Sequence, residues 1–180
     1  MSEPITHAEL VRRAATWLRS RQRCSVIITE ASSGYVGEIP DALGWRSWGI
    51  SVLVECKVSR ADYYADRSKK SRKKATPLGA VRYYMAPVGV IAPESLIDGW
   101  GLVEVSRCRN GKLRAVITTV AAEPAYDWGK LTERMPKEIS LLVAELRRLT
   151  TITDWRIRCR HCGKPYRKVG LQVQETALDA

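Results

Sequence analysis

Length, composition and charge limit what this sequence can encode. Its 180 residues, 45% of them hydrophobic, suffice for one globular domain with appendages rather than a disordered chain. Thirty Lys and Arg against 19 Asp and Glu give a net charge of +11, which favours polyanions such as nucleic acid as partners, with an inert basic surface as the alternative.

The sequence lacks the features of membrane and secreted proteins. No stretch reaches the about 18 apolar residues of a transmembrane helix, and the first residues lack the apolar core of a secretion signal. Five irregularly spaced cysteines do not form a disulfide framework, and two histidines are too few for a histidine-rich metal centre. We therefore expect no membrane partner and a cytoplasmic location.

The first third of the chain predicts a helix and three strands. Thr6 and Glu9 are spaced as in a capping box, which predicts a helix from His7 to about Arg21. Three strands follow over Ser25–Ser32, GYVGEIPDALGW and SWGISVLVECKV. Pro40 in the second strand indicates an edge, a kink or a bulge.

The next part of the chain predicts a second helix, two strands, a hairpin and a late helix. Ser59 and Asp62 resemble a capping box that begins a helix toward Lys74. The two strands are AVRYYMAPVGVIA and GWGLVEVS, and Asn110-Gly111 is typical of a type I′ hairpin turn. The late helix carries an apolar stripe of Ile139, Leu142, Val143, Leu146 and Leu149. This order predicts an α/β or α+β fold around one central mixed sheet flanked by helices.

The composition changes at the end of the chain. We expect a main domain over residues 1–150 and a basic tail over residues 151–180. Cys159 and Cys162 have the spacing of a zinc knuckle. A complete zinc site needs further ligands from this chain or from a second subunit, so an ordinary pair of reduced cysteines is the alternative.

Three ionisable residues stand where the sequence predicts buried strands. Glu55 and Lys57 lie two residues apart and therefore share one face of the third strand. Asp41 lies on the preceding strand, so antiparallel pairing would bring the two carboxylates together. Hard oxygen ligands of this kind suit Mg²⁺ or Mn²⁺, and Lys57 could orient or deprotonate an attacking water or steady phosphate charge. The alternative is a buried Glu55–Lys57 ion pair that only holds the strand.

Pro40-Asp41, thirteen intervening residues and Glu55-Cys56-Lys57 resemble the PD-(D/E)XK motif of the restriction-endonuclease-like nucleases. The predicted element order over about residues 5 to 107 is also similar to that superfamily's core. The resemblance is closest to small bacterial and phage nuclease-like proteins, in which the E-x-K strand runs into a helix that begins with serine. It implies a restriction-endonuclease-like core, to which the hairpin, the late helix and the CxxC tail are additions.

The resemblance also implies residue roles. Asp41 and Glu55 would be metal ligands, the backbone carbonyl of Cys56 a further ligand, and Lys57 the residue that organises water. Glu9 is a candidate because some members carry an extra acid on the first helix, although its capping position explains it equally well. Seven bases after the E-x-K strand predict a phosphate-tracking face, with a solvated helix flank as the alternative: Arg60, Arg67, Lys69, Lys70, Arg72, Lys73 and Lys74.

The implied activity is metal-dependent hydrolysis of phosphodiester bonds in DNA, in a bacterial or phage-infected host cell. A nucleic-acid-binding protein on the same fold, with weak or no catalysis, is the alternative. An RNA- or protein-binding adaptor built on the basic tail is a third reading. A homodimer is also compatible with the resemblance, since many such nucleases dimerise to cut two strands.

Overall fold

The computed structural model describes residues 3–34, 36–46, 49–67, 78–123 and 128–152, together with three short strands near the C-terminus. The chain forms two compact units, Met1–Leu142 and Val143–Ala180. The boundary between these units falls inside the last helix. No described helix is long and apolar enough to cross a membrane.

The first unit contains most of the regular structure, in the predicted order. The helices are α1 (His7–Ser20), α2 (Arg60–Arg67) and α3 (Trp128–Ile152), the last continuing into the second unit. The strands are β1 (Cys24–Thr29), β2 (Ala42–Arg46), β3 (Ser51–Cys56), β4 (Val81–Pro87), β5 (Gly101–Arg107) and β6 (Leu113–Thr119). The capping box predicted for α1 is confirmed, because Thr6 and Glu9 each accept from the other's backbone N–H.

The six strands form one mixed sheet in the order β1-β2-β3-β4-β5-β6. Neighbours are antiparallel from β1 to β3, parallel from β3 to β5, and antiparallel again at β5–β6. The parallel β3–β4 pair requires a crossover, and α2 lies in that connection. The predicted α+β fold with a central mixed sheet flanked by helices is confirmed.

The sheet separates two apolar clusters. On one face, α1 buries Leu10, Ala14 and Trp17 against β3 and β4. On the other face, Tyr63 of α2 and Leu141 of α3 pack with Leu43, Leu53 and Tyr84. Strand β3 is buried along its whole length, as expected for a central strand that is covered on both faces. Its ionisable residues therefore lie at the end of an apolar strand.

The first part of α3 is attached to the sheet by a buried carboxylate. Glu138 accepts hydrogen bonds from Trp45 Nε1 at 3.0 Å, Ser51 Oγ at 2.7 Å and the Gly79 backbone N–H at 3.1 Å. Most of the predicted stripe does not enter the core, since four of its members are exposed: Ile139, Val143, Leu146 and Leu149.

Two local predictions are wrong. The second strand begins at Ala42 rather than at Gly34, because the chain turns before it and the carbonyls of Pro40 and Asp41 both accept from the Glu30 N–H. The hairpin turn is not of type I′, which requires positive φ at both central residues. Of that pair only Gly111 has a positive φ, and Asn110 Oδ1 accepts from the Lys112 N–H instead.

The second unit contains the end of α3 and a small antiparallel sheet in the order β7-β8-β9. These strands are β7 (Ile157–Arg158), β8 (Pro165–Val169) and β9 (Gln172–Glu175). Cys159 and Cys162 lie outside the described residues, so the zinc-knuckle hypothesis stays a prediction.

Candidate active site

The pairing of β2 with β3 sets the position of Asp41. Ala42, which directly follows Asp41, pairs with Val54, which directly precedes Glu55, so the two acidic residues stand next to paired residues at this end of β2 and β3. The register therefore allows the two carboxylates to approach each other, and their sharing of a cation stays a prediction.

Asp41 directly precedes β2, rather than lying on it as the sequence predicts, and contacts β3 and α1. Its Oδ2 accepts a hydrogen bond from the Cys56 backbone N–H at 2.7 Å. Its Oδ1 is 3.5 Å from Nε2 of His7, the first residue of α1. The Asp41 side chain retains 17% exposure, so this carboxylate is accessible from solvent while the backbone of β3 fixes its orientation.

Lys57 is buried with two carboxylates. Its Nζ is 3.5 Å from Oε2 of Glu55 and 3.3 Å from Oδ1 of Asp66. Burial alone would lower the pKa of Lys57, but the carboxylates of Glu55, Asp66 and Asp41 outweigh that effect and hold the pKa above its usual value. Lys57 is therefore an ammonium at neutral pH, which donates hydrogen bonds and does not accept protons.

Asp66 and Tyr84 complete this cluster, and sequence reasoning missed both. Asp66 is 1% exposed on α2, and its Oδ2 accepts a hydrogen bond from the Tyr84 hydroxyl at 3.2 Å. Tyr84 pairs with Glu55 across β3–β4. A signal was present, since Tyr63 and Asp66 lie three residues apart on one helical face and Tyr63 is buried. An acid on the apolar face of a helix needs a buried partner.

Cys56 separates Glu55 from Lys57 and faces the α1 side of the sheet. Burial, followed by the negative charges of Asp41 and Glu55, raises the pKa of the Cys56 thiol well above its usual value. The side chain is therefore a neutral thiol, which is not a thiolate ligand. Only its backbone carbonyl is suited to the role that the resemblance implies.

Glu9 has partners of its own on α1. Its carboxylate accepts from the Thr6 N–H at 2.9 Å and is 2.8 Å from the Arg107 guanidinium at the end of β5. The hydrogen bond from Thr6, followed by that from Arg107, lowers the pKa of Glu9 to about 2. These contacts account for Glu9 as a capping and ion-pairing residue, and its role at a metal stays a prediction.

The predicted basic face is only partly described. Arg60 and Arg67 are exposed at the two ends of α2, and Arg60 donates to the Gly89 carbonyl at 3.3 Å. The other five bases lie outside the described residues: Lys69, Lys70, Arg72, Lys73 and Lys74. The phosphate-tracking role of this segment stays a prediction.

The available donors for a cation are few. Among the described residues, no three side chains of the His, Cys, Asp and Glu types converge as a metal site. Asp41, Glu55 and the Cys56 carbonyl would contribute two side chains and one backbone oxygen. This is a hard-oxygen donor set, which fits Mg²⁺ or Mn²⁺, since these ions retain several water ligands in proteins.

Comparison with known proteins gives one likeness at the level of the fold. No family model and no curated protein matches the chain. A solved structure, a protein of unknown function from Silicibacter pomeroyi, is similar over 84% of this chain and 92% of that one, with a TM-score of 0.58 and 21% sequence identity. The six-stranded mixed sheet with its flanking helices therefore belongs to a fold that is also known from a solved structure.

Proposed function

We propose that this protein is a metal-dependent nuclease that hydrolyses phosphodiester bonds in DNA. One observation carries the proposal: Asp41 and Glu55 are the residues next to the paired Ala42 and Val54, and the Lys57 ammonium is 3.5 Å from the Glu55 carboxylate. The element order also supports it, because a helix, an antiparallel β1-β2-β3 meander, a crossover helix and a parallel β4 are the arrangement expected of a restriction-endonuclease-like core.

In this proposal, Asp41, Glu55 and the Cys56 carbonyl would hold a divalent cation, which would supply positive charge to the scissile phosphate and to an attacking water. The carboxylates of Glu55, Asp66 and Asp41 raise the pKa of Lys57, and in this proposal its ammonium orients the water or stabilises charge on the phosphate. Asp66 and Tyr84 hold Lys57 in place from the α2 side. Excess positive charge on the chain favours encounter with the polyanionic substrate.

A nucleic-acid-binding protein with weak or no catalysis is the second candidate. The internal pairing of the cluster favours it, since the Cys56 N–H already occupies Asp41 Oδ2 and Lys57 already pairs with Glu55. A cation would have to compete with these contacts. This candidate predicts DNA binding that needs no divalent metal, and no cleavage in Mg²⁺ or Mn²⁺.

Cleavage of plasmid and single-stranded DNA in Mg²⁺, Mn²⁺ and EDTA tests the proposal. Asp41→Asn should abolish cleavage while sparing or raising DNA affinity, because less negative charge opposes the phosphate. Lys57→Ala should lower the rate on the order of a hundredfold or more. Asp98→Asn is the matched control, because Asp98 is an exposed carboxylate that no contact links to the cluster.

The opposite result is equally clear. If Asp41→Asn and Lys57→Ala fold normally and cut at the parental rate, these residues are not the catalytic machinery. If both variants lower the melting temperature and activity falls only with the folded fraction, the cluster is a structural ion-pair network.

A further inference from the structure

A second polar site lies at the other end of the sheet. A cavity of about 340 Å³ that is largely open to solvent is lined, among the described residues, by Arg21, Gln22, Arg23 and Arg46. Strand β2 begins beside Asp41 and ends at Arg46, so roughly 17 Å of extended strand separates the two sites. The cavity is therefore distinct from the carboxylate cluster.

The cavity carries more positive than negative charge. Arg46 is bound by the Glu123 carboxylate at 3.0 and 3.2 Å and also donates to the Gln22 side chain. Within the described part of the chain, no ion pair joins Arg21 or Arg23 to an acid. Among the described residues, Glu123 therefore compensates Arg46 and leaves Arg21 and Arg23 without a carboxylate partner.

Two of the arginines that line the cavity lie between α1 and β1. Arg21 is the C-cap of α1, and Arg23 begins the turn into β1 with a φ of 55°. This is the left-handed region that favours glycine, so a large side chain there needs a reason. Attraction between cations and the helix C-terminus explains Arg21. It does not explain why Arg23 keeps a strained backbone beside the same cavity.

We propose that this arginine cavity binds a phosphate group of a nucleic-acid strand. Guanidinium groups present forked donors that match phosphate oxygens in pairs, which makes Arg more specific than a simple positive charge. The inference rests on the proposed function in taking the strand to be the substrate. The cavity would then be a second binding site for the nucleic-acid strand. It lies at the opposite end of the sheet from the cluster of Asp41, Glu55 and Lys57.

Binding without cleavage tests this inference. Fluorescence anisotropy of a labelled DNA oligonucleotide in EDTA, measured across a salt series, should show Arg21→Gln with Arg23→Gln weakening affinity on the order of tenfold. The salt dependence should also flatten by about one phosphate contact. The matched control is Arg109→Gln with Lys112→Gln, which removes the same charge from the exposed β5–β6 turn.

A second variant guards against a folding defect. Arg23→Gly removes one guanidinium and places the residue that φ favours, so it should melt at or above the parental temperature and still bind DNA more weakly. Orthophosphate should weaken DNA binding by the parent more than chloride does at equal ionic strength, because it competes for the arginines. In Arg23→Gly, orthophosphate and chloride should weaken DNA binding equally.

Three results would overturn the inference: parental affinity in Arg23→Gly, an equal loss in the Arg109 and Lys112 control, or orthophosphate that weakens DNA binding by the parent no more than chloride does. Because every measurement is made without divalent metal, failure here leaves the Asp41→Asn cleavage result untouched. Likewise, failure of the Asp41→Asn cleavage test leaves these binding measurements untouched, so either proposal can fail without the other.

Discussion

At the scale of single side chains, Lys57 lies between two carboxylates in a nearly dry environment. Lys57, Glu55 and Asp66 are 5%, 3% and 1% exposed. Removing charges from water costs several kcal/mol per ion, and well-packed apolar residues often stabilise a core as well or better. A buried cluster with two carboxylates and one ammonium group therefore contributes little to stability. A functional role of Asp66, as the second carboxylate beside Lys57, would account for its burial.

We predict that Asp66→Asn lowers the cleavage rate tenfold to a hundredfold, the usual range for residues that orient a functional group through one contact. The amide cannot hold the Lys57 ammonium as the carboxylate does at 3.3 Å. DNA affinity in EDTA should stay parental. Tyr84→Phe is the matched control, because it removes one hydrogen bond to Asp66 and no charge.

For Asp66, the decisive comparison is between the cleavage rate of Asp66→Asn and the fraction of that variant that is folded. If Asp66→Asn loses activity only in proportion to its folded fraction, Asp66 supports the fold and not Lys57. A rate loss in fully folded protein, with a smaller loss in Tyr84→Phe, assigns Asp66 to the positioning of Lys57.

The sequence predicted part of this cluster and missed the rest for a physical reason. Glu55 and Lys57 follow a run of apolar strand residues, so period-two alternation was enough to set them on one face. Asp66 is 11 residues beyond Glu55 on another element, and only the packing of α2 over β3 and β4 brings it to Lys57. Contacts between elements depend on tertiary packing, which local patterns do not encode.

At the scale of elements, α1 is tied to the sheet at its first turn. Glu9 accepts from Thr6 within the capping box and pairs with Arg107 at the end of β5. The capping box could be predicted from the sequence because its partners are three residues apart. The contact with Arg107 could not be predicted, because 98 residues separate it from Glu9.

Glu9 therefore gives a prediction of pH dependence. Its folded pKa is about 2 against an ordinary value of 4.5, so its stabilising contribution is complete above pH 4.5 and is lost as pH falls toward 2. The melting temperature of Glu9→Gln should lie below that of the parent at neutral pH, and the gap should narrow as the pH falls through this window. Glu94→Gln, at an exposed carboxylate, should show no such gap.

The same variant separates the two readings of Glu9. If Glu9→Gln lowers the melting temperature and leaves metal-dependent cleavage per folded molecule unchanged, Glu9 is a capping residue. A parental melting temperature with lost cleavage would instead support its role beside the cation.

At the scale of the whole molecule, the chain combines two compact units, which divide between Leu142 and Val143. The change in composition after residue 150 predicts where the basic tail begins. Helix α3 runs through both positions without a break, so helical periodicity carries no mark of the division. The order and type of the elements were readable because each follows a local apolar period.

The last prediction concerns zinc in the second unit. Thiolate sulfur is a favoured zinc ligand, and metal loss from such a site unfolds the segment that it organises. We expect protein purified without chelators to contain about one zinc per chain, or one per two chains if two copies share the site.

Exchanging both Cys159 and Cys162 for Ser should remove the metal, whereas Cys108→Ser, at an exposed thiol of the first unit, should retain it. Because Met1–Leu142 has its own apolar clusters, its thermal unfolding should be unchanged by the double substitution. If the parent protein contains no zinc, the two cysteines are an ordinary reduced pair. If Cys108→Ser loses as much zinc as the double variant, the zinc site does not lie in the tail alone.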